Sequence, residues 1–193
     1  MEKIDLMGLL EAEDYYTTDT HWRQEAIADA AQTIRTALGI GELPEFEKVS
    51  LGDFHGVYYG QSALPLPPDE LIYLTNSELE YCTVFLAEKG ETGKIYATEK
   101  YAGMDPYDIF LSGAVALAEI TNPHGDKNRE LVIFRDSFGS SLAPLLVSGY
   151  GKVTLVDTRY IAPDMIGDFL QFGSQDVLFI HSTLLINDSS TLK

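Results

Sequence analysis

The sequence predicts an α/β fold with a mainly parallel sheet, and two observations carry that prediction. The last third of the chain alternates strand and helix patterns, in the order strand 131–134, helix 138–147, strand 153–156, helix 163–172 and strand 177–180. Such βαβαβ alternation forms a parallel sheet with helices on its faces. Nearer the start, residues 23–38 place apolar side chains at helical spacing and end at a glycine, which predicts a further helix.

The remaining elements have weaker patterns. We expect a short strand at 3–6. The 53–68 stretch mixes glycine, proline and aromatic residues without a sustained period, which predicts a long irregular loop. Strand-like segments at 80–87 and 94–98 flank a turn-rich linker and predict a hairpin. A second apolar run at 114–120 precedes the alternating third. With 193 residues, 45% of them hydrophobic, the chain has the length for one domain with a substantial core.

The chain is strongly acidic, with a formal net charge of −17. That charge argues against nucleic acid and anionic membrane as partners, because both would repel it.

The single cysteine, Cys82, excludes an internal disulfide and a cysteine-based zinc site, and its alternating apolar surroundings predict a buried structural thiol. In the 53–68 stretch no histidine or carboxylate spacing resembles a metal cluster, and we expect neither a metal nor a cofactor for the chain. We also expect no export signal and no membrane insertion in this chain.

The most informative stretch is LVIFRDSFGSSLAPLLVSGY, residues 131–150. Its leading apolar residues predict a buried strand and the segment from Phe138 a helix, so Ser137 lies at the junction. A hydroxyl there is well placed for a nucleophile, because the free N–H groups and positive dipole end of a helix N-terminus stabilise developing negative charge. The alternative is that Ser137 or Asp136 only caps the helix.

A serine nucleophile needs a base, and the chain has four histidines. His21 follows Asp19 by two residues. In an extended segment the two side chains point the same way, so the carboxylate can contact one imidazole nitrogen and leave the other free. The alternative is that Asp19 or Thr20 caps the next helix and His21 is a packed surface residue.

A rival base lies in the alternating third. His181 and Asp157 come just past predicted strands, at the same sheet edge as Ser137, which gives a second candidate base with a possible orienting carboxylate. His55 and His124 lie in loops without a comparable acidic pattern, and we interpret both as solvated or structural.

Four segments together resemble a known family. The chain contains TDTHW at 18–22, DPYDIFLSG at 105–113, RDSFG at 135–139 and VTLVDTRY at 153–160. In this order they resemble the DHHW-motif proteins, relatives of the alginate O-acetyltransferase branch of SGNH-type hydrolases. The resemblance implies a single three-layer SGNH-like domain over residues 1–193, in which Asp19 orients His21, His21 is the base and Ser137 is the nucleophile.

Two positions depart from the pattern. Residue 20 is Thr rather than His, with its side chain expected to point away, and Arg135 stands where the general hydrolase pattern has glycine. Arg135 and the Phe138 N–H are candidates for the oxyanion hole or substrate wall, and the resemblance adds Ser112 and Gly113. Tyr59 is a candidate for stacking on a sugar, although aromatic loop residues more often anchor a loop to the core.

The resemblance implies an O-acyl esterase or O-acetyltransferase that acts on a cell-surface or extracellular carbohydrate. The alternative is a surface domain that keeps the fold and binds carbohydrate or a partner protein without turnover. Resembling proteins usually have an anchored or exported N-terminal portion, so we expect this chain to be a fragment or shortened relative of a longer extracytoplasmic protein. Hydrolysis and transfer share an acyl-enzyme and stay open here, as does the oligomeric state.

Overall fold

The computed structural model describes residues 2–62 and 64–188. The helices and strands follow the chain in the order α1 Ala28–Leu38, β1 Glu47–Phe54, α2 Val57–Ser62, β2 Asp69–Thr75, α3 Ser77–Tyr81, β3 Thr83–Leu86, β4 Glu91–Gly93, β5 Leu117–Thr121, β6 Glu130–Arg135, α4 Phe138–Leu146, β7 Lys152–Val156, β8 Asp176–Ile180 and α5 Thr183–Asn187. Short 3-10 helices cover Ala12–Asp14, Gln24–Ala26, Thr98–Ala102, Pro106–Ile109, Val147–Gly149 and Pro163–Asp168.

The main sheet has six strands in the order β4-β3-β5-β7-β6-β8. Strand β6 runs parallel to β7 and β8, whereas the β3–β4, β3–β5 and β5–β7 pairs are antiparallel. The expectation of a mainly parallel sheet is therefore wrong. Strands β6, β7 and β8 are joined by connections of more than a dozen residues, as parallel pairing requires, whereas β3 and β4 form a hairpin across a four-residue turn. A hairpin was expected in this region, but its second strand, Glu91–Gly93, lies in the predicted linker, and the strand expected at 94–98 does not form.

The C-terminal third differs from its prediction in one element. Strands β6, β7 and β8 and helix α4 lie where the alternating pattern placed them, but the second crossover contains a 3-10 helix, Pro163–Asp168, instead of an α-helix over 163–172. Gly167 lies within this segment, and glycine is a poor helix former. The fold is thus mixed α/β, with its parallel part confined to the last third.

Buried side chains cover both faces of the main sheet. On one face, α1 and α4 pack through apolar residues such as Ile34, Leu142 and Leu145 against the strands. On the other face, the connection after β7 covers Val132, Phe134 and Val156 with Ile161, Ile166 and Leu170. Helix α1 ends at Gly39, whose left-handed conformation (φ 63°) lets its N–H bond back to the last turn.

Two other predictions are corrected. Residues 3–6 form no strand, and the 53–68 stretch is not wholly irregular, because it contains the end of β1 and all of α2. Strands β1 and β2 form a separate two-stranded antiparallel sheet. Within residues 2–62 and 64–188, no helix combines the length and apolar character that a membrane crossing requires.

Candidate active site

Ser137 lies between β6 and α4, at the N-cap position of the helix. Its side chain makes no capping hydrogen bond. The neighbouring Asp136 does that instead: its Oδ1 accepts the Phe138 N–H at 3.1 Å, and its Oδ2 accepts the Ser182 N–H at 2.8 Å. Because Asp136 takes the capping role, the Ser137 hydroxyl is left for another partner.

Asp19 and His21 lie on a bend rather than in the extended segment that the sequence analysis assumed. Asp19 Oδ1 accepts the backbone N–H of His21 at 3.0 Å and lies 2.5 Å from the Nδ1 atom of the same residue. Its other oxygen accepts the Val57 N–H at 3.1 Å. The carboxylate therefore folds the chain back on itself and fixes the imidazole at the same time.

The two halves of the site meet through one hydrogen bond. His21 Nε2 lies 2.7 Å from Ser137 Oγ, so Asp19, His21 and Ser137 form a continuous hydrogen-bonded series. Asp19 and His21 are buried, and Ser137 is half-buried. The structure brings the three residues together in the order that nucleophilic catalysis uses, while their catalytic role stays a prediction.

The environment of Asp19 favours its ionised form. Burial alone would raise the pKa of the Asp19 carboxyl, but the hydrogen bond and charge of His21, together with the backbone N–H groups of Val57 and His21, outweigh burial and lower it. A carboxylate facing Nδ1 requires that nitrogen to carry the proton, which leaves Nε2 as the acceptor toward Ser137.

Two residues that the sequence analysis nominated at the nucleophile have other roles. The Phe138 N–H is already bonded to Asp136, which corrects its assignment to the oxyanion hole. Arg135 is 1% exposed and directs Nη1 to the Asp136 carbonyl at 3.3 Å and to the Asp157 carboxylate at 3.5 Å, so it lies beneath the site rather than in it. A Cβ atom on Gly139 would lie 2.6 Å from Arg135 Cβ, and glycine therefore makes room for the arginine.

Ser112, Gly113 and Tyr59 lie outside this hydrogen-bonded series. Ser112 and Gly113 belong to a left-handed turn with φ angles of 64° and 84°, and Lys100 Nζ donates to the Ser112 carbonyl at 2.7 Å. Tyr59 stacks on His55 at a centroid distance of 3.8 Å, which is the contact expected of a residue that anchors its loop.

The rival pair does not form. Asp157 accepts two hydrogen bonds from the Arg159 guanidinium, at 2.9 and 2.6 Å, and the buried His181 Nε2 has no partner among the described residues. Burial lowers the pKa of His181, and the charges of Asp136 and Asp157 oppose that effect without reversing it. His124 makes an edge contact with the Tyr81 ring.

Sequence reasoning missed several residues that shape the site. Tyr107 stacks on the His21 ring, and Gly56 passes so close to Asp19 that a Cβ there would lie 2.3 Å from Asp19 Cβ. The DPYDIFLSG segment was a signal for Tyr107, whereas no sequence signal links Gly56 to Asp19. Among residues 2–62 and 64–188, no group of three histidine, cysteine or acidic side chains could hold a metal ion.

The fold of this chain is similar to that of two solved structures. A DHHW family protein from Eubacterium siraeum superposes with a TM-score of 0.68 at 22% identity, over 89% of this chain and 60% of that one. Bacillus cereus PatB1, solved with a sulfonyl adduct, superposes with a TM-score of 0.65 at 19% identity, over 93% of this chain and 62% of PatB1. This chain thus spans about three fifths of either structure.

No curated protein matches the sequence significantly. The model of the DHHW protein family matches residues 5–156, which is most of the 193-residue chain and includes both halves of the candidate site. The chain belongs to the DHHW protein family.

Proposed function

We propose that this chain is an SGNH-type acyl-transfer domain, an O-acyl esterase or O-acetyltransferase that uses Ser137, His21 and Asp19. The observation that carries the proposal is the unbroken series of contacts, 2.5 Å from Asp19 to His21 and 2.7 Å from His21 to Ser137. A serine that only starts a helix does not need a base within hydrogen-bonding distance. The base, in turn, would not need a buried carboxylate beside it.

The proposed reaction begins when Ser137 Oγ attacks the acyl carbonyl carbon and its proton passes to His21 Nε2. The carbon–oxygen bond to the leaving alcohol then breaks, and His21 returns the proton to that oxygen. The acyl-enzyme reacts in the same way with water, which gives hydrolysis, or with a sugar hydroxyl, which gives transfer. Asp19 stabilises the imidazolium in each step, because its carboxylate stays in contact with Nδ1.

The negative oxygen of the tetrahedral intermediate needs donors other than the Phe138 N–H. The Ser137 N–H is the better candidate, since it makes no hydrogen bond within the described part of the chain and lies at the N-terminus of α4. The helix dipole places additional positive potential at that end.

Family membership and one similar protein support the proposal. The match covers both TDTHW and RDSFG. PatB1 is solved with a sulfonyl adduct, and sulfonyl groups attach to nucleophilic side chains. By extension from the family resemblance, we propose a carbohydrate as the acyl acceptor or ester substrate, and an extracytoplasmic location for the protein.

The direct test is intact-mass analysis after exposure to p-nitrophenyl acetate. We expect a mass increase of about 42 Da that maps to Ser137, because acetyl replaces the hydroxyl proton in the acyl-enzyme. Ser137→Ala should remove the adduct with little change in melting temperature, and His21→Ala should slow its formation by roughly 10⁴-fold or more. The matched control is Ser77→Ala, which removes an exposed serine at the start of α3. Labelling that persists in Ser137→Ala would show that Ser137 is not the nucleophile. A wild-type protein that is never labelled but binds a polysaccharide would replace catalysis by the binding-only alternative.

A further inference from the structure

The imidazole of the candidate base lies against an aromatic ring. Tyr107 stacks on His21 with ring centroids 3.7 Å apart and planes only 5° from parallel, and it is 4% exposed. Phe138 approaches the same imidazole at 5.0 Å with a tilt of 50°. The ring faces of His21 are therefore in apolar contact, while its two nitrogens remain directed at Asp19 and Ser137.

Tyr107 is tied to the helix that begins after Ser137. Its hydroxyl donates to Ser141 Oγ at 2.7 Å, and Trp22 Nε1 donates to the same oxygen at 2.8 Å. The Ser141 hydroxyl in turn faces the Phe138 carbonyl at 3.4 Å. A serine hydroxyl has two lone pairs and one proton, so these three contacts use its full capacity. Ser141 lies one helical turn after Ser137, and so it links the position of the aromatic residues to that of the nucleophile.

We propose that Tyr107 is a positioning residue that holds the His21 ring in the plane joining Asp19 to Ser137, with Ser141 as its anchor on α4. The inference rests on the proposed function for its catalytic consequence. The second side-chain torsion of histidine has a broad energy profile, so hydrogen bonds alone hold the ring weakly against rotation. A parallel ring at 3.7 Å blocks that rotation by direct contact.

The stacked ring also suits the charge that forms during the reaction. When His21 takes the serine proton, positive charge spreads over an imidazole that lies on the π face of Tyr107. A cation over an aromatic face gains the equivalent of about a 2- to 30-fold change in rate, with the upper end applying to desolvated pairs such as this one. Burial raises the pKa of Tyr107, which keeps the phenol protonated and able to donate to Ser141.

The experiment separates the ring from its hydroxyl. Tyr107→Phe keeps the stack and loses the bond to Ser141, while Tyr107→Met keeps most of the volume and loses the aromatic face. The matched control is Tyr150→Phe, which removes the bond between a fully buried tyrosine and Asp176, in another part of the core. Each variant is measured for kcat and KM with p-nitrophenyl acetate. Protein labelled with ¹⁵N-histidine is also examined by NMR for the far-downfield Nδ1 proton that a 2.5 Å contact with Asp19 produces.

We expect Tyr107→Met to lower kcat by about 10- to 100-fold with KM nearly unchanged, and to broaden or abolish the downfield proton signal. Tyr107→Phe should retain the signal and lose about 2- to 10-fold in kcat, since one neutral hydrogen bond is removed. Tyr150→Phe should change neither. If Tyr107→Met fails to fold, Ser141→Ala provides the second test, and faster solvent exchange of the downfield proton is the supporting result.

A folded Tyr107→Met protein with the wild-type signal and kcat within twofold would overturn the inference. The NMR measurement needs no substrate, so it decides the positioning claim even if the wild type forms no acyl-enzyme. Absence of acylation in the wild type would count against the proposed function alone.

Discussion

The two halves of the candidate site are held in place by different means. Ser137 takes its position from regular structure, because β6 is flanked on both sides by parallel strands and α4 follows at once. Residues 17–22, the base segment, carry Asp19 and His21. Residues 17–21 lie on bends and Trp22 forms an isolated bridge with Tyr15, and the segment also depends on side chains from elsewhere. Asp69 accepts hydrogen bonds from the Thr17 N–H, the Thr18 N–H and the Thr18 hydroxyl, at 2.9, 2.7 and 2.6 Å.

This difference shows where the site is sensitive to substitution. On the nucleophile side, the backbone hydrogen bonds between β6 and its two neighbouring strands share the constraint on the position of Ser137. On the base side, the segment is held by two backbone hydrogen bonds, from the Tyr16 and Tyr58 N–H groups. The further constraints come from contacts with Asp69 and Gly56. Substitutions of those residues should therefore impair the site although they lie outside the Asp19–His21–Ser137 series.

Among substitutions outside the Asp19–His21–Ser137 series, we expect Gly56→Ala to slow acylation most. The new Cβ would lie 2.3 Å from Asp19 Cβ and 2.7 Å from Asp19 Cα, so the base segment must move. We expect a loss of about 1–3 kcal/mol in the free energy of unfolding and about a 100-fold fall in acylation rate, measured by urea unfolding and by p-nitrophenol release. Gly60→Ala is the control, since a Cβ there meets nothing within 4 Å and alanine favours helix α2. Equal rates in the two variants would show that Gly56 does not constrain Asp19.

The same contrast explains how far the sequence predicted the fold. The β6–α4–β7–β8 region was predicted within a residue or so at most boundaries, because strand and helix periodicity determine it locally. The antiparallel pairing of β5 with β3 and β7 was not predicted, because the order of strands in a sheet depends on long-range contacts that no local pattern encodes.

The candidate site was predicted by a different route. Asp19, His21 and Ser137 came from paired motifs together with the chemistry of a nucleophile and its base, while the bend between Asp19 and His21 was not foreseen. The Phe138 assignment was wrong because the side chain of Asp136 competes for that N–H, and such competition depends on a rotamer. Arg135 was nominated from its sequence position, yet burial beneath Gly139 removes it from the site.

A smaller effect is expected for Asp69→Asn. The asparagine amide can accept through only one oxygen, and its NH₂ group would face hydrogen-bond donors. The hydrogen bonds that Thr17 and Thr18 donate to residue 69 are therefore largely lost. We expect a destabilisation of about 1–3 kcal/mol and roughly a tenfold slower acylation. Glu70→Gln removes the same charge from the next residue, where the partner is Ser50, and should leave acylation unchanged. If both variants slowed acylation equally, the cause would be the lost negative charge and not the support that Asp69 gives to the base segment.

The smallest effect concerns Cys82, which reports whether the base segment loosens alone or with the rest of the protein. Burial, with a smaller contribution from the charge of Glu78, raises the pKa of the Cys82 thiol to about 12, so at pH 8 only about one molecule in ten thousand carries a thiolate. The side chain is 2% exposed and packs in the core cluster that includes α1 and α4. We therefore expect native protein to resist a disulfide reagent at pH 8 and to react only after unfolding in urea.

In Asp69→Asn the reaction rate of Cys82 should stay within about twofold of wild type, because local opening of residues 17–22 does not expose the core. A rise in Cys82 reactivity that matches the loss of acylation would mean that the base segment and the core open together, and the distinction between the two halves would fail.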